Sequence, residues 1–205
     1  MTELIPQKVL EGDAFSKWEL TIKESFSLEA LYKRLHDYLV EEKWVDLHSG
    51  DDDYEVNYEE YEVDGGATNH VIWWRAAKDP EIPAHQYIRY YLRLDISTKM
   101  MKEKEVMIQG KKVKLDNGEI KVECSLFLDQ GNDRGKDEKS PWETHPVLKH
   151  FKKYFWNRLN RKVVSAAKGE IVEFSNNLYN LIQVFTGVKP ESGPRDFVPV
   201  KGVSN

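Results

Sequence analysis

A run of basic residues near the C-terminus carries side chains that could bind an anion. Residues 144–168 contain seven Lys or Arg and no acid. They surround an apolar stripe that includes Phe151, Tyr154 and Phe155, a pattern typical of an amphipathic helix with a basic face. Such a face predicts a nucleic acid, an anionic lipid or an acidic protein as partner. The candidate anion-binding residues are Lys149, Lys152, Lys153, Arg158, Arg161 and Lys162.

An acidic stretch elsewhere in the chain gives the basic run a second interpretation. Residues 51–64 contain eight Asp or Glu and no Lys or Arg, although the formal net charge of the whole chain is only −5. The basic helix is then a solvated outer face that the acidic stretch of the same molecule neutralises. The sequence pI of about 5.8 also lies well below the values above about 9 that are typical of nucleic-acid-binding domains.

Motifs for metal, cofactor or catalytic chemistry are not found. The six histidines form no His-Glu-x-x-His pattern, and the one cysteine, Cys124, lies in an apolar alternation typical of a core strand. Residues 51–62 have the acid content of a calcium loop, but Val56 stands where an EF-hand needs glycine. We therefore expect no metal and no cofactor, and favour a protein that is not an enzyme. A catalytic site assembled from distant positions remains open.

Alternating apolar and polar residues predict the strands that position these groups. Residues 16–26 alternate, and residues 54–63 alternate with a change of phase that predicts a β-bulge. Residues 70–77 are predicted to form the strand that runs back after a turn at the glycine pair 65–66. Residues 87–97 are the clearest strand, with Tyr90 and Leu92 on its apolar side. Its other side, rich in Tyr and Arg, is either a face for planar anions or a solvent face.

Turns and helices follow from local signals. A hairpin is predicted around residues 109–111, a second turn at Asp116-Asn117-Gly118, and a last strand over residues 119–128. Ser27 can cap a helix that runs to about Trp44. Residues 140–143 have the form of a capping box, a longer helix begins near Pro146, and Gly187 ends it. Whether residues 144–187 form one helix or two stays open.

These elements predict one α+β domain over residues 14–187, with an N-terminal arm at 1–13 and a loosely ordered tail at 188–205. We expect a curved antiparallel sheet of about six to seven strands, with one helix after the first strand and long C-terminal helices packed on one face. The N-terminus shows no signal peptide and the chain has no transmembrane segment, so the expected location is the cytoplasm.

The order of elements resembles the helix-grip architecture of the START and Bet v 1-like superfamily. In that superfamily a curved sheet wraps a long C-terminal helix around an apolar cavity. The resemblance covers about residues 14–187 and implies a lipid, hormone or polyketide-like ligand, or a chaperone-binding role.

The preferred hypothesis is a non-enzymatic protein that binds an apolar or amphipathic small molecule between sheet and C-terminal helix. Trp73 and Trp74 are adjacent in a strand, so one of them should face the core and the other a cavity or a partner. The alternative is an interaction module that uses the basic helix. The oligomeric state is unknown. The candidate ligand-binding residues are Trp73, Trp74, Tyr90, Leu92, Phe155 and Phe174.

Overall fold

In the part of the chain that the structure describes, seven strands form one antiparallel sheet, and two long helices accompany it. The computed structural model describes residue 9 and residues 14–47, 51–80, 88–108, 111–129 and 146–187, with the side chains of the last segment described at 146–147 and 164–187. The predicted α+β class is confirmed. The elements are β1 (Ser16–Ile22), β2 (Ser25–Phe26), α1 (Leu28–Glu41), β3 (Val45–Asp46), β4 (Glu55–Val63), β5 (Ala67–Lys78), β6 (Arg89–Ile108), β7 (Lys111–Asp129) and α2 (Pro146–Thr186).

The strands follow a simple order, and each side of the sheet is formed by two separate strands. Its central strands run β1-β7-β6-β5, and every neighbouring pair is antiparallel. On one side, β2 pairs with β7 beyond the end of β1. On the other side, β5 pairs with β4 along most of its length and with β3 near its C-terminal end. Strand β4 contains an irregularity, but its register shifts between Glu55 and Asn57 and is regular between Tyr58 and Tyr61, where the change of phase predicted a bulge.

One face of the sheet is apolar and is covered by both helices. Leu31, Leu35 and Leu39 of α1 and Ile171 and Leu178 of α2 are at most 1% exposed. Full burial of one such side chain stabilises a fold by roughly 1.5–3 kcal/mol, so this face holds the two helices in place. The sheet residues of this core include Trp18, Leu20, Ile22, Ile72, Trp74, Tyr90, Leu92, Leu94, Ile96, Ile120, Val122, Cys124 and Leu126.

Helix α1 begins and ends through local hydrogen bonds. Ser27 adopts an extended conformation and its side chain accepts a hydrogen bond from the main-chain N–H of Ala30, as its predicted capping role requires. The helix ends at Glu41, before the predicted end near Trp44. Lys43 lies in the left-handed region with a φ of 59°, and the N–H of Trp44 turns back to the carbonyl of Leu39. This closure satisfies carbonyl groups at the helix end and directs Trp44 into the core.

The turn predicted at Asp116-Asn117-Gly118 is wrong, because β7 passes through these residues without a break. The glycine serves a close approach instead. Opposite it, the register of β6 shifts between Lys99 and Lys102, and a Cβ on Gly118 would lie 2.8 Å from the carbonyl oxygen of Lys99. The hairpin predicted around residues 109–111 is confirmed by the pairing of Ile108 with Lys111.

The C-terminal region is one helix of 41 residues, where long helices in the plural were expected. Gly169 does not interrupt it, since the glycine is exposed and a Cβ there would meet nothing within 4 Å. The helix ends before Gly187, whose φ of 71° is the predicted stop. The sheet is not strongly curled. The capping box at residues 140–143 and the tail at 188–205 lie outside the described residues.

A second, smaller apolar cluster lies on the opposite face of the sheet. Val9 is buried there against Ala77, Tyr91 and Phe127. The rest of the predicted arm at residues 1–13 lies outside the described residues. None of the helices in the described part of the chain has the length and apolar character needed to cross a membrane.

Candidate functional site

The structure distributes the predicted ligand-binding residues over different environments. Trp74, Tyr90, Leu92 and Phe174 are at most 5% exposed and belong to the main core. Trp73 lies on the opposite face of the sheet and is 42% exposed, so the prediction that the two tryptophans face opposite sides is confirmed. The side chain of Phe155 lies outside the described residues.

Side chains of the sheet and of α2 contact one another in the described part of their interface. Trp18 packs edge-on against Tyr179 with ring centroids 5.3 Å apart, and its indole N–H donates to the hydroxyl oxygen of Ser175 at 3.1 Å. The Tyr90 hydroxyl donates to a carboxylate oxygen of Glu170 at 3.0 Å. These contacts join α2 to the sheet at the level of residues 170–179.

Helices α1 and α2 also close against each other, around Phe174. Its ring stacks on Tyr38 at 5.6 Å and lies 4.9 Å from Trp44. The hydroxyl of Tyr38 and the indole N–H of Trp44 are buried without a hydrogen-bond partner among the described residues. Phe174 therefore acts as a packing residue between the two helices.

An open groove lies elsewhere, between the N-terminal half of α1 and the edge of the sheet. Its volume is about 700 Å³. Its walls come from the first two turns of α1, from β4 and β5, and from one residue of β7. Its lining residues are Leu28, Glu29, Tyr32, Lys33, Glu55, Tyr58, His70, Ile72 and Asp116.

One wall of the groove is organised around Tyr32. Its hydroxyl donates to a carboxylate oxygen of Glu55 at 2.6 Å, which links α1 to β4. Its ring packs edge-on against the buried Trp74 at 4.8 Å. Burial, and then the neighbouring Glu55 carboxylate, raise the pKa of Tyr32 well above its usual value. Tyr32 is therefore a neutral hydrogen-bond donor throughout the physiological range.

Asp116 forms the end of the groove and fixes the start of α1. One carboxylate oxygen accepts the main-chain N–H of Leu28 at 2.8 Å, which is one of the free donors of a helix N-terminus. Within the described residues, the other oxygen of Asp116 and the second oxygen of Glu55 accept no hydrogen bond. Each carboxylate therefore keeps one oxygen for a ligand.

His70 is held in a fixed position by Thr98, which is buried. The main-chain N–H of His70 donates to the Thr98 hydroxyl oxygen at 2.8 Å, and the ring nitrogen Nδ1 lies 2.8 Å from the same atom. The Tyr58 ring lies 6.2 Å from the imidazole and is half exposed. With Nδ1 engaged, Nε2 is the ring nitrogen left for a ligand in the groove.

The charge of the groove is negative. Its lining includes three carboxylates and a single lysine, and that lysine, Lys33, is paired with Glu29 at 2.6 Å on the exposed rim. Glu55 and Asp116 have no cationic partner among the described residues. Leu28 and Ile72 provide an apolar surface beside them. The arrangement suits a molecule with an apolar body and a cationic or hydrogen-bond-donating group.

The exposed Trp73 on the other face has charged neighbours that satisfy one another. The guanidinium of Arg75 lies 6.0 Å from the Trp73 ring centroid and pairs with Asp95 at 2.6 Å. The second oxygen of Asp95 accepts from Arg93 at 2.7 Å. In the predicted Tyr and Arg face, Arg93 is thus paired with Asp95, and Arg89 pairs with Asp79 at 3.7 Å.

The six candidate anion-binding residues lie on the continuous helix α2, and their side chains lie outside the described residues. Their neutralisation by residues 51–64 stays a prediction. Among the described residues, no group of three or more His, Cys, Asp or Glu could hold a metal ion. Comparisons with protein-family models, curated proteins and solved structures give no match. The helix-grip resemblance therefore rests on the order of elements alone.

The groove residues were not among the sequence-derived candidates. Glu55 was assigned to a solvated acidic strand, His70 to a returning strand and Asp116 to a turn. One local signal did exist, because Leu28 and Tyr32 are four residues apart and share a face of α1. The partners of that face come from three distant strands, which no local pattern indicates.

Proposed function

We propose that this protein is a non-enzymatic binding protein that holds a small amphipathic molecule with a cationic group in the groove between α1 and the sheet. The observation that carries the proposal is the pairing of an apolar surface with two carboxylates, Glu55 and Asp116, that lack a cationic partner in the described residues. The volume of about 700 Å³ falls within the roughly 300–1,000 Å³ that small-molecule sites span.

We place the ligand in the groove in preference to the predicted space between the sheet and α2. Leu92 and Leu178 are fully buried in the described part of that interface, and a ligand inserted beside them would require them to move. Interiors resist such changes, because overpacking a core typically costs about 1–3 kcal/mol. The groove, by contrast, is open to solvent and needs no displacement of the core.

The ligand class follows from the chemistry of the walls. An ammonium or guanidinium group can approach the free oxygens of Glu55 and Asp116, while an aromatic or aliphatic body lies on Leu28, Ile72 and Tyr58. Covering about 100 Å² of apolar surface contributes roughly 2.5 kcal/mol. A charge-assisted hydrogen bond to a carboxylate contributes about 1.5–3 kcal/mol. An anionic ligand of the same shape is disfavoured by the net negative lining.

Three probes with one ring system and different charges test the proposal. Tryptamine carries an ammonium group, tryptophol a hydroxyl and indole-3-acetate a carboxylate. Saturation-transfer difference NMR should rank their binding in that order. Tryptamine should bind about tenfold more tightly than indole-3-acetate, which corresponds to a difference in binding free energy of about 1.4 kcal/mol. Equal binding of all three, or none at millimolar concentrations, contradicts the proposed ligand class.

Two tyrosines of β4 provide a matched pair of variants. Tyr58 lines the groove and is 47% exposed, while Tyr61 is 48% exposed and is not part of the lining. Tyr58→Ala should weaken the binding of tryptamine and of tryptophol to the same extent. Tyr61→Ala should leave the binding of both probes unchanged. Glu55→Gln keeps an acceptor for Tyr32 but removes a charge. It should therefore weaken the binding of tryptamine several-fold and leave the binding of tryptophol unchanged. A loss with Tyr61→Ala that equals the loss with Tyr58→Ala excludes the groove.

An anionic partner on α2 is the second candidate. It is favoured by the continuity of α2 from Pro146 to Thr186, which places all six basic residues on one helix. Binding to immobilised heparin should be strong at low salt and fall steeply as salt rises. Reversal of charge at Lys152, Lys153, Arg158 and Arg161 should abolish retention. Retention that survives these four changes excludes this function.

A further inference from the structure

Strands β6 and β7 extend beyond the rest of the sheet as a two-stranded arm, formed by residues 102–108 and 111–115. The pairing of β6 with β5 ends at Met101, and the pairing of β7 with β2 ends at Asp116. Beyond these points each strand has only the other as a neighbour among the described residues. Met107 is 62% exposed and Val113 is 37% exposed on this arm. An isolated two-stranded ribbon is marginally stable in water, so this arm would gain from a partner.

The arm is basic. It contains five lysines and two glutamates, a net charge of +3. Two of the lysines are neutralised by cross-strand ion pairs, Lys112 with Glu105 at 3.2 Å and Lys114 with Glu103 at 2.7 Å. Lys102 and Lys104 are exposed and have no ion-pair partner among the described residues. Within the described residues, the outer edge of β6 in the arm thus presents main-chain groups without a strand partner, together with two lysines without an ion pair.

Strand β4 presents the complementary surface. It pairs with β5 on one side, and its other edge has no neighbouring strand within the described residues. Its nine residues include four glutamates and no Lys or Arg, and Glu59, Glu60 and Glu62 are exposed. Such charges normally protect an edge from pairing with other strands. The glutamates of β4 would repel a second copy of β4. A neutral strand would leave their negative charge unbalanced, whereas a basic strand would be attracted to it.

The two surfaces cannot meet within one molecule, because β5 lies between β4 and β6. They match in length, since seven residues of β6 in the arm span about 23 Å and the nine residues of β4 span about 30 Å at roughly 3.3 Å per residue. Two copies related by a twofold axis would form the contact twice.

We propose that the β4 edge binds the β6–β7 arm of a second copy of this chain, so that the protein forms a homodimer with two reciprocal strand pairings. Main-chain hydrogen bonds between β4 and the arm would provide the pairing, as in strand addition to an exposed sheet edge. The glutamates of β4 opposite Lys102 and Lys104 would provide the selectivity. The contact uses β4, whose residues Glu55 and Tyr58 also line the groove, but it does not depend on the proposed ligand.

A charge-exchange experiment tests the dimer. Sedimentation velocity of the full chain should show a dimer at low salt that dissociates as the salt concentration rises. The acidic-edge variant Glu59→Lys/Glu62→Lys and the arm variant Lys102→Glu/Lys104→Glu should each be monomeric. An equimolar mixture of the two variants should form a heterodimer, because each reversed surface then faces a complementary one.

Controls separate this interface from a loss of folding. Circular dichroism should show both variants folded, and Glu24→Lys, a reversal at an exposed residue outside β4 and the arm, should leave the dimer intact. Should either variant fail to fold, the salt dependence of the unmodified chain decides alone. The proposal is wrong if the chain is monomeric at every concentration. It is also wrong if a dimer forms that is unaffected by salt concentration, by the charge-reversing substitutions and by mixing the two variants.

Discussion

The hydroxyl of Tyr32 and the carboxylate of Glu55 are joined by a hydrogen bond of 2.6 Å that crosses from α1 to β4. The bond closes one wall of the groove above Trp74. Because burial and then Glu55 raise the pKa of Tyr32, the phenol keeps its proton at neutral pH. The bond therefore sets the position of α1 against β4 and leaves one oxygen of Glu55 directed to other partners.

Replacing Tyr32 tests this relationship. Tyr32→Phe removes a hydrogen bond to a charged acceptor, so the free energy of unfolding should fall by about 1–2 kcal/mol. Urea unfolding followed by circular dichroism measures the change. Tyr58→Phe is the matched control, because its hydroxyl donates at 3.3 Å to an exposed carboxylate, Glu60, and its loss should cost less than about 0.5 kcal/mol. Equal costs in the two variants would show that the Tyr32 bond contributes no more than a surface contact.

Alkaline pH should destabilise the protein through its buried tyrosines. Desolvation raises the pKa of Tyr38 and of Tyr54 to about 12, from an ordinary value of 10.0. A raised pKa in the folded state means that the stabilising contribution is complete below pH 10 and is lost as pH rises from 10 through 12. The free energy of unfolding should therefore fall over that interval. A tyrosinate absorbance titration should show delayed ionisation in the native protein and ordinary ionisation in urea, and identical curves would contradict the burial of these phenols.

Two glycines should respond in opposite ways to the same change. Gly118→Ala places a Cβ 2.8 Å from the carbonyl oxygen of Lys99, so it should destabilise the fold by about 1–3 kcal/mol. Gly169→Ala meets open space on an exposed face of α2 and should stabilise the fold by about 0.5–1 kcal/mol. Thermal unfolding of both variants checks the pair. A neutral Gly118→Ala would mean that the irregularity between Lys99 and Lys102 adjusts without cost.

Replacing Met100 with glycine should stabilise the protein. Its φ of 57° is a left-handed conformation that costs an ordinary residue roughly 1–2 kcal/mol, and its side chain is 53% exposed. Met100→Gly should therefore raise the free energy of unfolding by about 1 kcal/mol. Met107→Gly in the same strand is the control. Met107 is also exposed but lies in regular strand, so glycine there should lower stability by about 0.5–1 kcal/mol. Destabilisation by both variants would contradict a strained Met100.

Strand faces were predictable from the sequence because alternation is a local property. The residues Tyr90, Leu92 and Leu94 share one parity and are all at most 1% exposed. The position of the irregularity in β4 was not predictable in this way, since the change of phase lies between Tyr58 and Tyr61 and the register shifts between Glu55 and Asn57. The single cysteine also lies where its apolar neighbours indicated, with Cys124 fully buried in β7.

The groove was not predictable because its residues meet only after folding. Tyr32 and Glu55 are separated by 23 positions, and Leu28 and Asp116 by 88. The Asp116-Asn117-Gly118 signal was misleading for a related reason. Its glycine is required by the close approach of β6, and its aspartate by the start of α1, and neither requirement appears in the residues nearby.

The pairing of β1 with β7 has a consequence during synthesis of the chain. Ser16 lies opposite Leu126, so the first strand must wait for roughly 110 further residues, about 5–20 s at common elongation rates. Asp116, which accepts the main-chain N–H of Leu28 at the start of α1, emerges late as well. Until then the apolar sides of β1 and α1 are uncovered on the ribosome. A chaperone that shields nascent chains would have its greatest effect in this interval, before the final strand closes the sheet.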